Sequence, residues 1–149
     1  MADITLFSDF AAPPNEIFVF FVPQRMPLWY GAEMEACFEV QGGASDFSAG
    51  QKVRITGKLG GGNVTLTVVI TSYEWCRLLE WRFHDSYGVR GLQRWELAPA
   101  ASGNGTRLTM RDSYEMPGAF AKLVDRIFTR HAVTRRDRVW LDRLHRLVL

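Results

Sequence analysis

Residues 117–149 read PGAFAKLVDRIFTRHAVTRRDRVWLDRLHRLVL, and this segment places the strongest constraint on the architecture of the protein. It has no proline or glycine after Gly118, so it predicts one helix over Ala119–Leu147. Nearly everything before it predicts β-strands. The sequence contains no second helix long enough to pair with this one, so its apolar side must lie on the sheet. We therefore expect a curved sheet around the helix, with a cavity between them.

The predicted helix carries one apolar stripe. The residues of the stripe recur at spacings of about three and four. Its first half contains Phe120, Leu123, Val124, Ile127 and His131, and its second half contains Val133, Trp140, Leu141, Leu144 and Val148. Residues 117–149 hold 8 Lys/Arg and 3 Asp, whereas residues 1–116 hold 10 Lys/Arg and 13 Asp/Glu. We interpret Arg135-Arg136-Asp137-Arg138 as a solvated helix face rather than a site for acidic lipid or nucleic acid.

Alternation of polar and apolar residues predicts seven strands. The first covers Asp3–Phe10, and two short helices follow it, one over Asn15–Val22 and one ending at Tyr30. The other six strands cover Glu33–Val40, Lys52–Lys58, Val64–Trp75, Leu79–His84, Val89–Leu97 and Thr106–Met116. Their hairpin-length connections make them antiparallel neighbours. The predicted class is α+β: one domain, residues 1–149, with a seven-stranded antiparallel sheet curved around a long C-terminal helix and two short helices between strands 1 and 2.

Composition excludes several classes of protein. The 149 residues are 47% hydrophobic, and no apolar run approaches the ~20 residues that span a bilayer. The first ten residues lack the basic start of a signal peptide. Cys37 and Cys76 lie far apart, without metal-ligand spacing. We expect a cytoplasmic protein, monomer or homodimer, with no metal, no cofactor, no nucleic-acid partner and no stable membrane insertion.

Short motifs along nearly the whole chain resemble one superfamily. They are AAPPNEIF at Ala11–Phe18, MPLW at Met26–Trp29, GQKV at Gly50–Val53, WEL at Trp95–Leu97, GTRL at Gly105–Leu108, and the terminal helix. The pattern is similar to the SRPBCC superfamily, the helix-grip fold of START domains, the birch pollen allergen group and bacterial polyketide cyclase/dehydrase-like proteins. The resemblance implies a deep cavity beneath the C-terminal helix for lipids, polyketides or other apolar molecules. It implies no catalytic residue, because the members range from carriers to enzymes.

The candidate ligand-binding residues face inward on the predicted sheet or lie on the helix stripe. They are Phe38, Trp81, Phe83, Gln93, Trp95, Met110, Asp112, Tyr114, Phe120, Val124, Ile127 and His131. A buried Asp112 is costly unless paired. It could bind a ligand hydroxyl, orient His131, pair with an arginine, or be turned to solvent by a bulge. His131 could act as an acid or base, or simply lie at the cavity mouth or in the core.

These residues support three functional interpretations. The first is a protein that binds or carries a hydrophobic small molecule, such as a lipid or polyketide, in the internal cavity. The second is a polyketide cyclase/dehydratase-like enzyme that uses Asp112 and His131 as acid/base groups. The third is a protein-interaction role, as in the chaperone-cofactor branch of the superfamily, with a tight core and no ligand.

Overall fold

The computed structural model describes residues 2–59, 61–118 and 130–148. The elements are β1 (Ala2–Phe10), α1 (Pro14–Phe18), β2 (Cys37–Val40), β3 (Lys52–Leu59), β4 (Gly62–Glu74), β5 (Leu78–Asp85), β6 (Arg90–Pro99), β7 (Thr106–Glu115) and α2 (Arg130–Val148). Short 3-10 turns cover Met26–Leu28, Ala32–Met34 and Gln41–Gly43. The strands form one antiparallel sheet in the order β1-β7-β6-β5-β4-β3-β2. The predicted fold class is confirmed.

Side-chain alternation explains how the strands present one face to the core. Along β7, buried side chains alternate with half-buried or exposed ones, and Leu108 and Met110 are among the buried. The second half of the predicted helix stripe lies in the core as well, since Trp140, Leu141 and Leu144 are fully buried. Helix and sheet therefore bury their apolar faces together.

The strand predicted over Glu33–Val40 is only half right. Burial alternates as expected, with Glu33 and Glu35 exposed, but the ladder begins at Cys37. Glu35 has a left-handed backbone, with φ of 52°, and a 3-10 turn precedes it. The alternation of polar and apolar residues correctly predicted which side chains face the core. It did not predict where the strand begins, because a turn produces the same pattern over a few residues.

The predicted helices also differ in length from the observed ones. The helix expected over Asn15–Val22 is α1, which ends at Phe18, where the chain tightens. The amide N–H of Phe21 donates to the carbonyl of Phe18 at 2.9 Å, three residues back. Of the long C-terminal helix, residues 119–129 lie outside the described part of the chain, and α2 is helical to Val148.

Helix α2 covers the open edge of the sheet at β1. Three basic side chains reach backbone carbonyls of this edge strand: Arg130 to Asp3 at 2.9 Å, Arg138 to Phe7 at 3.2 Å, and His145 to Asp9 at 2.9 Å. Unpaired edge carbonyls invite pairing with other strands, and covering them prevents it. Arg138 is exposed, as expected for the solvated helix face, and also donates to this edge strand.

An aromatic cluster fills one part of the concave face. The ring of Trp95 meets those of Trp29 and Trp81 edge-on, with centroids 6.0 Å and 4.9 Å apart. Tyr30 also packs against Trp95, at 5.8 Å, and Trp81 and Trp95 are fully buried. The segment between β1 and β2 therefore plugs part of the space under the sheet, and any cavity must lie beside this plug.

Two glycines of the β6–β7 connection test how closely this connection packs against the end of β1. Gly103 and Gly105 have φ of 80° and 82°, but only at Gly105 would a Cβ collide with backbone, 2.0 Å from the Phe10 carbonyl oxygen. We expect Gly103→Ala to cost about 1 kcal/mol for the left-handed backbone alone. Gly105→Ala should cost a further ~1–3 kcal/mol from the overlap. Urea unfolding of both variants checks this, and equal losses would contradict it.

Candidate functional site

A cavity of about 350 Å³ lies between the concave face of the sheet and α2. Its walls are mostly apolar and include Met34, Ile55, Val64, Leu66, Phe83, Tyr114, Met116, Val133 and Trp140. Its polar wall groups include Tyr30, Gln93, Asp112 and Arg136. Small-molecule sites usually measure ~300–1,000 Å³ and combine apolar walls with a few placed polar groups. The cavity has this character, at the small end of the range.

The structure brings four of the sequence-derived candidates to this cavity: Phe83, Gln93, Asp112 and Tyr114. Trp81, Trp95 and Met110 also face inward but are buried outside the cavity lining. Phe38 is half-buried and packs against Tyr30. Three further candidates, Phe120, Val124 and Ile127, lie outside the described residues.

His131 is placed away from the cavity. Its side chain is exposed, and it is not among the residues that line the cavity. Nine residues separate it from Trp140, which at 3.6 residues per turn puts the two on opposite sides of α2, about 180° apart. The expected Asp112–His131 pair is therefore not formed, because the apolar stripe rotates along the helix.

A chain of hydrogen bonds leads from the aromatic cluster to Asp112. Gln93 lies directly opposite Asp112 in the β6–β7 ladder. Its Oε1 accepts from the Tyr30 hydroxyl at 2.7 Å and from Trp81 Nε1 at 2.9 Å. Its Nε2 then donates to Asp112 Oδ2 at 3.3 Å. Burial raises the pKa of Tyr30 well above its ordinary value, so this phenol stays neutral.

Arg136 joins Asp112 to a second buried carboxyl group, that of Asp137. Arg136 Nη2 donates to Asp112 Oδ2 and to Asp137 Oδ1, each at 3.1 Å, and Nε also donates to Asp137 Oδ1 at 3.3 Å. The guanidinium stacks on the ring of Trp140, 4.5 Å from its centroid. Of the alternatives for Asp112, pairing with an arginine is the one the structure shows.

Asp137 is a buried carboxyl group whose surroundings favour its neutral form. Burial, and then the negative charge of Asp112, raise the pKa of Asp137 well above its ordinary 3.8, although the Arg136 guanidinium opposes the shift. Asp112 Oδ1 and Asp137 Oδ2 are both buried without a hydrogen-bond partner among the described residues.

Sequence reasoning missed Arg136, Asp137 and Tyr30 as site residues. A signal for Asp137 existed: it lies four residues after Val133 and three before Trp140, which places it on the apolar stripe. The interpretation of neighbouring charges as a solvated face hid this spacing and is corrected by the complete burial of Asp137. Tyr30 lies in a turn and carries no comparable signal.

The raised pKa of Asp137 predicts a pH dependence of stability. Because the pKa of Asp137 is higher in the folded than in the unfolded protein, the folded state binds more protons above about pH 4, and stability falls as pH rises toward the folded pKa. Asp137→Asn imitates the protonated form and removes this loss. The stability of the variant relative to wild type should grow from about pH 5 to about pH 9, by at most ~1.4 kcal/mol per pH unit.

Urea unfolding at several pH values measures the effect. Asp142→Asn is the matched control, since Asp142 is an exposed carboxylate on the same helix. A difference between Asp137→Asn and wild type that stays constant with pH would contradict the raised pKa of Asp137.

The described residues form neither a metal site nor a membrane-spanning helix. Within residues 2–59, 61–118 and 130–148, no three His, Cys, Asp or Glu side chains are grouped so as to hold a metal ion. None of the described helices is long and apolar enough to cross a membrane.

Solved structures share this architecture at low sequence identity. The protein SA2116 of Staphylococcus aureus, of unknown function, matches with a TM-score of 0.77 and 11% identity, over 99% of this chain and 93% of its own. MLL2253 of Mesorhizobium loti matches with a TM-score of 0.74 and 15% identity, over 99% and 96%. DynU16, from the dynemicin biosynthetic locus, matches with a TM-score of 0.68 and 20% identity, over 97% of this chain but 46% of its own.

These likenesses establish the fold, and a sequence profile establishes the family. No functionally curated protein matches the sequence significantly. The profile described as polyketide cyclase / dehydrase and lipid transport matches residues 1–148. The chain therefore belongs to the polyketide cyclase / dehydrase and lipid transport family, of the SRPBCC type.

Proposed function

We propose that this protein binds or carries a hydrophobic small molecule, of lipid or polyketide type, in the cavity between the sheet and α2. The observation that carries the proposal is the cavity of about 350 Å³, with its apolar walls and its network of polar groups. The family description, which joins polyketide chemistry with lipid transport, supports it. So does the occurrence of a structural relative in the dynemicin biosynthetic locus.

The affinity would come mainly from apolar burial. Each Å² of apolar surface removed from water contributes about 25 cal/mol. The polar groups would add orientation, because a buried network leaves few positions in which a ligand oxygen finds a partner. The cavity also disfavours the protein-interaction interpretation, which required a tight core.

Native mass spectrometry of freshly purified protein tests the proposal. A co-purified small molecule is the expected result, and binding is then measured by tryptophan fluorescence, since Trp140 lines the cavity. Val64→Phe, which narrows the cavity, should weaken binding by about tenfold. Val139→Phe, at an exposed position of α2, should leave it unchanged. Equal affinities of the two variants, or no binding across a broad lipid and polyketide panel, would overturn the proposal.

A second candidate is an acid/base enzyme of the cyclase or dehydratase kind. The raised pKa of Asp137, next to Asp112 at the cavity, favours it, with Asp137 as the second acid/base group instead of His131. Turnover of linear poly-β-ketone probes tests it. Asp112→Asn should abolish turnover and Asp142→Asn should not, and unchanged turnover in Asp112→Asn would exclude this role.

The remaining proposals concern the cellular location and the oligomeric state of the protein. Cys37 and Cys76 are free thiols, which is compatible with a reducing cytoplasm. The monomer or homodimer expectation stays a prediction that light scattering checks.

A further inference from the structure

One nitrogen of Arg136 has no protein partner in the described part of the chain. Nη2 and Nε are committed to Asp112 and Asp137, which leaves Nη1 with its N–H donors free. Arg136 lines the cavity, and its side chain is 38% exposed although both of its carboxyl partners are buried. Arg136 therefore has an unused hydrogen-bond donor, Nη1, available to a ligand in the cavity.

The guanidinium is held in place before any ligand arrives. The two carboxyl groups fix it on one side, and the ring of Trp140 supports its face. Trp140 is itself anchored, since its Nε1 donates to Glu33 Oε1 at 2.8 Å. A donor that is already oriented loses little conformational entropy on binding, which favours one position of the ligand oxygen.

The charges around the cavity oppose an anionic ligand. Arg136 lies 3.1 Å from the carboxyl oxygens of both Asp112 and Asp137, so the guanidinium has no excess positive charge to offer. The other charged residue among the described lining is Asp85, another acid. A ligand carboxylate would enter a partly buried site beside Asp112 without a cation of its own, and such burial is costly.

We propose that Arg136 is the specificity-determining residue of the cavity, and that it anchors an uncharged apolar ligand through an acceptor oxygen such as a ketone. The cavity then discriminates against alkyl carboxylates of the same length. This inference rests on the proposed function and deepens it by assigning the charge of the ligand and the residue that holds its polar group.

Two probes of equal chain length, 2-decanone and decanoate, test the inference near neutral pH. The wild-type protein should bind 2-decanone at least about tenfold more tightly, because the carboxylate would lose its hydration beside Asp112. Arg136→Met should weaken the binding of 2-decanone by about tenfold, the order of one hydrogen bond to a charged group, and should not improve the binding of decanoate, because it removes the cation. Arg135→Met, at an exposed position of the same helix, should leave both affinities unchanged.

A measurement on the wild-type protein avoids dependence on the fold of the variant. Titration with 2-decanone should shift the side-chain NMR resonances of Arg136. Equal or tighter binding of decanoate, or no Arg136 shift while 2-decanone binds, would overturn the inference and leave the proposed function standing. Binding of neither probe, with no co-purified small molecule, would overturn the proposed function and the inference together.

Discussion

Arg136→Met is expected to lower the free energy of unfolding by about 3 kcal/mol at neutral pH. The substitution leaves two buried carboxyl groups, those of Asp112 and Asp137, without their cation. Removing one partner of a buried ion pair typically costs ~3–5 kcal/mol, and the partial exposure of Arg136 places the loss at the lower end. Against a total stability of ~5–15 kcal/mol this is a large loss.

Urea unfolding of Arg136→Met and of Arg135→Met separates this effect from the general loss of an arginine on α2. A second substitution identifies the cause: adding Asp112→Asn removes the unpaired negative charge and should recover more than half of the loss. If Arg136→Met is no less stable than the Arg135→Met control, the buried network contributes nothing to stability. If Asp112→Asn rescues nothing, the cause lies in packing on Trp140.

Trp95→Ala is expected to cost about 3–5 kcal/mol, the range for removing a large buried aromatic ring. The Trp95 ring is fully buried where Trp29, Tyr30 and Trp81 meet it edge-on. Its removal opens a void between the strands and the segment that plugs the concave face. Because Tyr30 also holds Gln93, the void should loosen the polar network beside the cavity.

Trp95→Phe is the matched control. Trp95 Nε1 is buried without a described partner, so losing this N–H removes no hydrogen bond, and most of the ring contacts remain. Trp81→Phe, by contrast, loses the bond from Nε1 to Gln93. Thermal unfolding should rank the losses as Trp95→Ala largest, Trp81→Phe next and Trp95→Phe smallest. A Trp95→Phe loss as large as that of Trp95→Ala would show that the void is not the cause.

Most of the fold was predictable because strands and helices leave periodic patterns. The alternation in β7 and the stripe through Trp140, Leu141 and Leu144 correctly identified the faces that pack together. The pattern failed to give the boundary of β2, where Glu35 adopts a left-handed backbone. A turn of a few residues also alternates sides, so periodicity alone does not distinguish it from a strand.

The site was predictable only on the sheet. Gln93 and Asp112 stood out as polar residues at inward positions, and the structure places them opposite each other beside the cavity. The site residues of the helix were harder to predict, because a slight rotation of the apolar stripe changes which residues face inward. His131 consequently faces solvent, whereas Arg136 and Asp137, taken for a solvated face, hold the polar network together.

Local spacing and chain order were enough to predict the strand count, the antiparallel neighbours, the final helix and the need for the helix to cover the sheet. The contents of the space between helix and sheet depend on contacts between residues far apart in the chain, which local spacing does not encode. The turns after α1 fill one part of it with Trp29 and Tyr30, and the rest remains a cavity. The raised pKa of Asp137 also belongs to this level, because it comes from burial and from the Asp112 carboxyl group, which long-range packing places near the helix.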